Sequence, residues 1–199
     1  MLLKRLFDLS IALPAAMLLS PLLLLFAIWV KLDSPGPAFF FQQRIGRYGK
    51  PFNIIKFRTM VSNAPAQGAQ ITVGQDKRIT RSGAFIRKYK LDELPQLLNV
   101  IKGDMSLVGP RPEVPQYVEL WPQAVRDKVL SVPPGITDFA AIEFRDEAAL
   151  LEKAADPLKT YVEEITPIKL DYYQRYVQSR SLWMDFRILL LTVKAVISH

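Results

Sequence analysis

The longest apolar stretch of the chain lies close to its N-terminus. Ile11 to Val30 comprises about 20 uncharged, mostly apolar residues, the length of a helix that crosses a bilayer. Pro14 and Pro21 interrupt the run, and each removes a backbone hydrogen-bond donor. At the central Ser20–Pro21 pair the proline favours a kink, and the serine hydroxyl can bond a freed carbonyl. The pattern predicts a membrane helix that breaks at Ser20 and Pro21.

Basic residues lie on both sides of this stretch. Lys4 and Arg5 precede it, and further basic residues follow it: Lys31, Arg44, Arg47 and Lys50. Because basic flanks favour the cytoplasmic side, both ends of the helix are expected there. A re-entrant helix that enters and leaves on one face satisfies this bias, and a kinked single-pass anchor is the alternative. The expected division is a membrane helix, residues 1–33, and a compact domain, residues 34–199.

The rest of the chain combines short β-like and helical patterns. Residues 34–51 predict a hairpin or an extended stretch, and residues 52–60 predict a short strand. Residues 61–74 are small and polar, and they predict a mobile loop of the kind that closes over active sites. Later patterns predict helices over residues 114–131, 147–155 and 167–178, and a turn over residues 132–137. The expected fold class is α+β, mostly helical, with a small β-element.

The last apolar segment, residues 181–197, is too short and too charged to cross a membrane, because Asp185, Arg187 and Lys194 interrupt it. It predicts an amphipathic helix in the membrane interface, with Trp183 and Phe186 at headgroup level. A last core helix is the alternative. We favour the interfacial interpretation.

The composition narrows the available chemistry. The chain has 26 Lys and Arg residues, 19 Asp and Glu residues and a formal charge of +7, which suits a polyanionic partner. It contains no cysteine, and its one histidine is His199. A catalytic site would therefore use carboxylates, basic groups, hydroxyls or a hard cation rather than a thiolate or an imidazole. Nucleic acid is not an expected partner, because the aromatic residues do not alternate with basic ones as a stacking surface requires.

Two adjacent carboxylates, Asp92 and Glu93, open the segment "LDELPQLLNVIKG". Asp92 can cap the helix that follows, which is a purely structural role. Alternatively, the free N–H groups of that helix can hold a phosphate beside Asp92, and Arg111, fixed between two prolines, can bind the same group. A basic cluster over residues 76–90 comes immediately before the carboxylates and favours a site for a phosphate and a divalent cation. The residues alone leave both interpretations open.

Several motifs resemble those of the bacterial sugar transferase family, and more closely the small monotopic phosphoglycosyl transferases of the polyprenol phosphate pathway. These motifs, with the proline-broken helix, are "FRTM", "RITRSGAFIRK", "LDELPQLLNVIKGDMSLVGPRPE", "PGIT", "DYYQRYV" and "SLWMDFRILLLTV". The resemblance implies transfer of a sugar-1-phosphate from a UDP-sugar to a polyprenol phosphate such as undecaprenyl phosphate, with release of UMP. It implies an active site on the cytoplasmic face of the bacterial inner membrane, in contact with phospholipid.

The resemblance also implies roles for residues. Asp92 matches the nucleophile, which forms a covalent phosphosugar-aspartate in a ping-pong cycle, and Glu93 matches its dyad partner. The family requires Mg²⁺, which is expected at Asp92 and Glu93, while Arg111 is expected to bind the diphosphate or nucleotide. Further residues match basic positions that bind substrate, a headgroup or a structural partner: Lys56, Arg58, Arg78, Arg87 and Arg145. Ser20 and Pro21 match the pair that breaks the re-entrant helix. The resemblance thus implies a re-entrant membrane helix over residues 1–33 and a catalytic domain at the membrane interface over residues 34–199.

One segment departs from the family pattern. After "PGIT" many relatives carry a Gly-Trp-Ala-Gln run, whereas this chain has "DFAAIEFRDE" over residues 138–147. The sugar is therefore left open, as are the polyprenol length and the oligomeric state, a homo-oligomer included. The rival functions are a non-catalytic, membrane-anchored protein with a basic interaction surface and a hydrolase in which water accepts the phosphosugar. The first would tolerate Asp92→Asn, and the second would turn over without a lipid acceptor.

Overall fold

A computed structural model of the chain describes residues 2–64, 73–74 and 76–198. Most of the described residues are helical, and short strands form two small sheets. The predicted fold class, α+β and mostly helical, is therefore confirmed. The loop predicted over residues 61–74 lies largely outside the described residues.

The described chain contains ten α-helices and four short strands. The helices are α1 (Leu2–Asp33), α2 (Arg81–Lys88), α3 (Leu97–Lys102), α4 (Pro115–Val118), α5 (Gln123–Val129), α6 (Phe139–Glu143), α7 (Glu147–Glu152), α8 (Pro157–Thr160), α9 (Thr166–Ser179) and α10 (Leu182–Ile197). The strands are β1 (Phe39–Ile45), β2 (Pro51–Phe57), β3 (Ser106–Val108) and β4 (Gly135–Thr137). A 3-10 helix, Leu91–Gln96, leads into α3. The helix predicted over residues 114–131 is divided into α4 and α5, because Pro122 has no N–H with which to continue a helix.

Helix α1 contains the long apolar stretch and continues through both of its prolines. Among the described residues it is the one helix long and apolar enough to cross a membrane. The Ser20 hydroxyl donates to the Met17 carbonyl at 2.7 Å, the carbonyl that an N–H at position 21 would otherwise bind. The predicted serine bond is therefore confirmed. The chain stays helical across the pair, so the predicted break is not a loss of helical conformation, and the membrane path remains a proposal.

The N-terminal end of α1 is fixed to the domain by charged groups. The Lys4 ammonium lies 2.8 Å from carboxylate oxygens of both Asp8 and Asp185, and both carboxylates are buried. Asp8 also accepts a hydrogen bond from the Ser106 hydroxyl at 2.9 Å. Because Asp185 belongs to α10 and Ser106 to β3, these bonds hold the start of α1 against two distant parts of the chain.

The C-terminal end of α1 is fixed to the same domain through Arg58. Its guanidinium donates to the Pro37 carbonyl at 2.6 Å, to the Ser34 hydroxyl at 2.7 Å and to the Val30 carbonyl at 3.2 Å. Val30 also packs in a buried cluster with Phe57 of β2 and with α2. Both ends of α1 therefore contact one body, while the middle of the helix exposes apolar side chains: Leu13, Met17, Leu18, Leu24, Leu25 and Ile28.

We expect Arg58→Met to lower the free energy of unfolding by about 2–4 kcal/mol, because it leaves the Val30, Ser34 and Pro37 carbonyls without this donor. Arg58 itself is 4% exposed, so its guanidinium forms these bonds largely away from water. Thermal denaturation in detergent micelles measures the effect, with Arg81→Met, at an exposed position of α2, as the control. Equal melting temperatures for the two variants would contradict this structural role.

The sequence predicted one of the two sheets and missed the other. Strands β1 and β2 form an antiparallel hairpin. The stretch predicted over residues 34–51 contributes β1, and the strand predicted over residues 52–60 overlaps β2. Strands β3 and β4 pair in parallel, and the turn predicted over residues 132–137 was wrong because Gly135–Thr137 forms β4. A Cβ atom at Gly135 would lie 2.1 Å from the Gly109 nitrogen, so only glycine allows this approach. The contact fixes the start of the Pro-Arg-Pro segment that follows Gly109.

Helix α10 joins the core on one face and exposes apolar side chains on the other. Ile188 is fully buried in the main cluster, together with residues of α3 and β3. Trp183 is 73% exposed and stacks on Phe186 with ring centroids 5.9 Å apart. The helix therefore combines features of both sequence interpretations, a core helix and an interfacial one.

Candidate active site

The paired carboxylates lie in the 3-10 helix that precedes α3. Lys90, in a left-handed conformation with φ of 56°, forms the N-cap, and no side chain caps this helix. The capping role considered for Asp92 is therefore wrong. Asn99 of α3 accepts from the Ile55 N–H at 3.0 Å and donates to the Asn53 carbonyl at 2.8 Å. These bonds hold β2 beside the carboxylates.

Glu93 forms ion pairs with two basic side chains. The Lys56 ammonium lies 2.8 Å from its Oε1 atom. Arg111 donates to Oε2 from one terminal nitrogen at 3.1 Å and to Oε1 from the other, which makes a bidentate pair. The structure thus brings together Lys56, Glu93 and Arg111, which are far apart in sequence.

The surroundings of Glu93 and Arg111 stabilise the ionised form of each. Burial raises the pKa of Glu93, but the charges of Arg111 and Lys56 outweigh burial and hold the pKa well below its usual range. The Glu93 charge raises the pKa of Arg111 well above its usual range, although burial opposes it. Burial lowers the pKa of Lys56, with Glu93 opposing. Glu93 is therefore held in place as an ionised carboxylate.

Asp92 has a different environment from its neighbour. Among the described residues, none forms a hydrogen bond or ion pair with its carboxylate, which is partly exposed. Burial raises its pKa, the Lys56 charge opposes this, and the Glu93 charge adds to it. The charge of Arg87 also acts on Asp92. The two adjacent carboxylates thus differ: Glu93 is held on both oxygens, whereas Asp92 has no such partner among the described residues.

A second set of polar residues supports the segment around Arg111. Glu113 lies 2.8 Å from an Arg44 nitrogen and accepts a hydrogen bond from the Tyr161 hydroxyl. Arg44 also donates to the Pro112 carbonyl at 3.1 Å. The sequence interpretation missed this set and treated Arg44 as a membrane-flanking charge. The one sequence feature that could have indicated this role for Glu113 is its position directly after the Pro-Arg-Pro motif.

The structure places the other predicted basic residues in separate surroundings. Arg58 holds the end of α1, as described above. Arg78 is paired with Asp76, its Nε atom lying 2.9 and 3.0 Å from the two oxygens. Arg145 donates to the Ala195 carbonyl of α10, and two of its buried nitrogens lack a partner among the described residues. Structural bonds thus exist for all three, and their contact with substrate stays a prediction.

The predicted Mg²⁺ site fits Asp92 better than Glu93. Magnesium is usually held by one or two carboxylates and by substrate phosphates. The carboxylate of Asp92, which has no partner among the described residues, suits such a ligand, whereas both oxygens of Glu93 already contact Arg111 or Lys56. The residues that the structure describes contain no group of three or more metal-ligating side chains. Water and substrate phosphates are the usual further ligands of Mg²⁺.

Asp138, which no sequence argument singled out as a site residue, lies close enough to Arg111 for their charges to interact. It is 2% exposed and caps α6 by accepting from the Ala141 N–H at 2.8 Å, while its Oδ2 atom is buried without a partner among the described residues. Burial raises its pKa from 3.8 to about 6. The neutral acid is thus the form that the fold favours.

We expect the stability of the protein to fall by about 1–3 kcal/mol as the pH rises from about 4 to about 7, because ionising Asp138 costs more in the folded chain than in the unfolded one. The raised pKa means that this contribution is complete below 3.8 and is lost as the pH passes about 6. Asp138→Asn, which resembles the neutral acid and can keep the cap, should remove this component. Melting temperatures across this range test it, and parallel curves for both proteins would show that Asp138 is ionised throughout.

The fold and the site describe a domain with an apolar N-terminal helix and a pair of carboxylates among basic groups. The model of the bacterial sugar transferase family matches residues 1–199. The chain belongs to this family.

Named relatives have similar sequences over almost the whole chain. It is 39% identical to the UDP-N-acetylgalactosamine-undecaprenyl-phosphate N-acetylgalactosaminephosphotransferase of Aeromonas hydrophila, over 98% of this chain and 44% of that protein. It is 38% identical to the UDP-glucose:undecaprenyl-phosphate glucose-1-phosphate transferase of Escherichia coli, over 96% of this chain and 39% of the relative. An uncharacterized sugar transferase of Bacillus subtilis is 40% identical over 99% of this chain and 88% of its own length. The chain thus spans less than half the length of the first two relatives.

Proposed function

We propose that this protein transfers a sugar-1-phosphate from a UDP-sugar to a polyprenol phosphate such as undecaprenyl phosphate, with release of UMP. The observation that supports the proposal is the difference between two adjacent carboxylates: Glu93 is held by Arg111 and Lys56, and Asp92 has no hydrogen-bond or ion-pair partner among the described residues. The names of the Aeromonas and Escherichia relatives describe this class of reaction and support it. Because those names specify different sugars, the sugar is not part of the proposal.

The reaction proceeds in two displacements at one phosphorus atom. An Asp92 oxygen attacks the phosphorus that carries the sugar, the bond to the oxygen of the departing UMP breaks, and a phosphosugar-aspartate forms. An oxygen of the polyprenol phosphate then attacks the same phosphorus, the bond to Asp92 breaks, and the carboxylate is regenerated. The product is a polyprenol diphosphate sugar.

The basic residues around Asp92 make these displacements feasible. Attack by an anion on an anionic diphosphate is opposed by charge repulsion, which Arg111, Lys56 and Arg87 reduce. Glu93 keeps Arg111 and Lys56 in fixed positions, so little reorganisation is needed during reaction. Mg²⁺ held by Asp92 and donor phosphates would neutralise further negative charge.

The membrane part of the proposal is a re-entrant α1 that enters and leaves on the cytoplasmic face of the inner membrane. Its support is that Lys4 at one end and Val30 near the other are fixed to one globular body. A single-pass helix would place its two ends on opposite sides of the bilayer. The exposed apolar middle of α1 would then lie in the lipid, and the active site would lie where soluble donor and lipid acceptor meet.

We expect tags at the N-terminus and beside Asp33 to be accessible from the cytoplasm alone, because both ends of α1 contact the same domain. Labelling of single introduced cysteines in intact cells and in inverted vesicles measures this, since the chain has no cysteine of its own. A label at position 2 that reacts from the periplasm would contradict the re-entrant path.

The test of the proposed function is the intact mass of the purified protein after incubation with Mg²⁺ and a panel of UDP-sugars, without a lipid acceptor. A mass increase equal to one sugar phosphate, matched by UMP release, is the expected result and identifies the sugar. Turnover with no acceptor would favour the hydrolytic alternative. Absence of an adduct and of UMP with every donor, with undecaprenyl phosphate present as well, would favour a non-catalytic protein.

A further inference from the structure

Three exposed aromatic residues form a continuous strip that begins on the membrane helix. Trp29 lies near the end of α1, and its ring centroid is 5.4 Å from that of Phe85 in α2. Phe85 is in turn 4.8 Å from Tyr89. The three side chains, here named the aromatic strip, are 37%, 43% and 37% exposed. The strip therefore forms an exposed apolar surface that runs from α1 onto α2.

The strip ends next to the reactive carboxylate. Tyr89 precedes Asp92 by three residues, so the two Cα atoms are at most about 11 Å apart. Between them, Leu91 packs against the buried cluster of Val30, Phe57 and Ile86. The strip and Asp92 are therefore both held next to the same buried cluster.

The surroundings of the strip are apolar at one end and basic at the other. The exposed apolar residues of α1 lie at one end, and at the other the Lys88 ammonium is 5.5 Å from the centre of the Tyr89 ring. The Arg87 charge acts on Asp92 beside them. A molecule with a long apolar chain and a phosphate head matches this order of surfaces.

We propose that the aromatic strip binds the first isoprene units of the polyprenol phosphate acceptor and guides its phosphate to Asp92. The inference rests on the proposed function and adds to it the residues that recognise the lipid chain. The flat rings cover branched hydrocarbon without needing hydrogen bonds from it. The path is continuous with the apolar surface of α1, where such a lipid would reside.

The test compares acceptor kinetics in detergent micelles for Phe85→Ala/Tyr89→Ala and for Trp183→Ala/Phe186→Ala. The second pair forms an exposed aromatic stack of similar size on α10 and serves as the control. We expect the strip variant to raise the KM for undecaprenyl phosphate about tenfold, with a smaller change for Phe85→Leu. UMP release in the absence of acceptor should match wild type. The effect should be smaller when a phosphate with a single isoprene unit replaces undecaprenyl phosphate, because fewer units then reach the strip.

Other results would overturn the inference. Equal KM changes in the strip and control variants would mean that both pairs anchor the protein in lipid without recognising the acceptor. An unchanged KM in the strip variant, with wild-type melting temperature, would remove the strip from acceptor binding. A wild-type protein that releases no UMP from any donor would overturn the proposed function itself, an outcome that UMP release separates from failure of the strip alone.

Discussion

Asp92→Asn should lower turnover by at least about a thousandfold and should form no covalent adduct, because an amide oxygen is too weak a nucleophile to displace UMP. The protein should remain folded, since no described residue depends on Asp92 for a hydrogen bond or ion pair. Burial already disfavours its charge, so the neutral side chain should leave the melting temperature unchanged or slightly higher. UMP release, intact mass and thermal denaturation measure the three effects.

Two further variants make the Asp92 experiment specific. Asp92→Glu keeps the charge but moves the oxygens by one methylene, and it should lose most of the activity if position matters as well as charge. Asp104→Asn, which removes a carboxylate paired with Lys102 at 3.4 Å, should retain activity. If Asp92→Asn kept a tenth or more of normal turnover, Asp92 would not be the nucleophile and would have an electrostatic role instead.

Arg111→Ala should lower turnover at least about tenfold, because it removes a charge that offsets repulsion at the phosphate and frees Glu93 from its bidentate partner. It should also reduce stability at neutral pH by about 1–3 kcal/mol, a value kept modest because a third of the Arg111 side chain is exposed. The depressed pKa of Glu93 contributes stability above its ordinary value of 4.5, and this contribution is lost as the pH falls through the depressed value. The stability difference between wild type and variant should therefore shrink in acid.

Arg111→Lys and Arg126→Ala are the matched comparisons. The lysine keeps the charge but cannot form both bonds with Glu93, so we expect activity between those of wild type and Arg111→Ala. Arg126 lies on α5 and contacts Gln123, and its loss should not affect turnover. Steady-state kinetics with both substrates measures these differences. Near-normal activity of Arg111→Ala would remove Arg111 from the site.

The features that the sequence predicted correctly are local in the chain. The apolar run of α1 and the β1–β2 hairpin each follow from residues that are adjacent or a few positions apart. The Ser20 bond to Met17 spans three residues and follows from the proline beside it. Periodicity and turn chemistry act at this range, so the pattern of residue types predicts them.

The errors and omissions concern groups that are distant in sequence. Asp92 is not an N-cap, because Lys90 adopts a left-handed conformation and starts the helix earlier. β4 was taken for a turn because its partner β3 lies about 30 residues away, and parallel pairing leaves no short-range signal. Arg44 and Asp138 were not assigned to the site because only packing shows that they are buried beside Arg111.

The sequence by itself determined the long apolar helix, the mostly helical fold class, the family resemblance and the candidate pair Asp92 and Glu93. The tertiary structure alone decided that Glu93 is held by Lys56 and Arg111, while no described residue pairs with Asp92. It also decided that both ends of α1 contact one body. The physical reason is that residue types encode local conformation directly, whereas pairing between distant charges depends on where many weak packing contacts place the backbone.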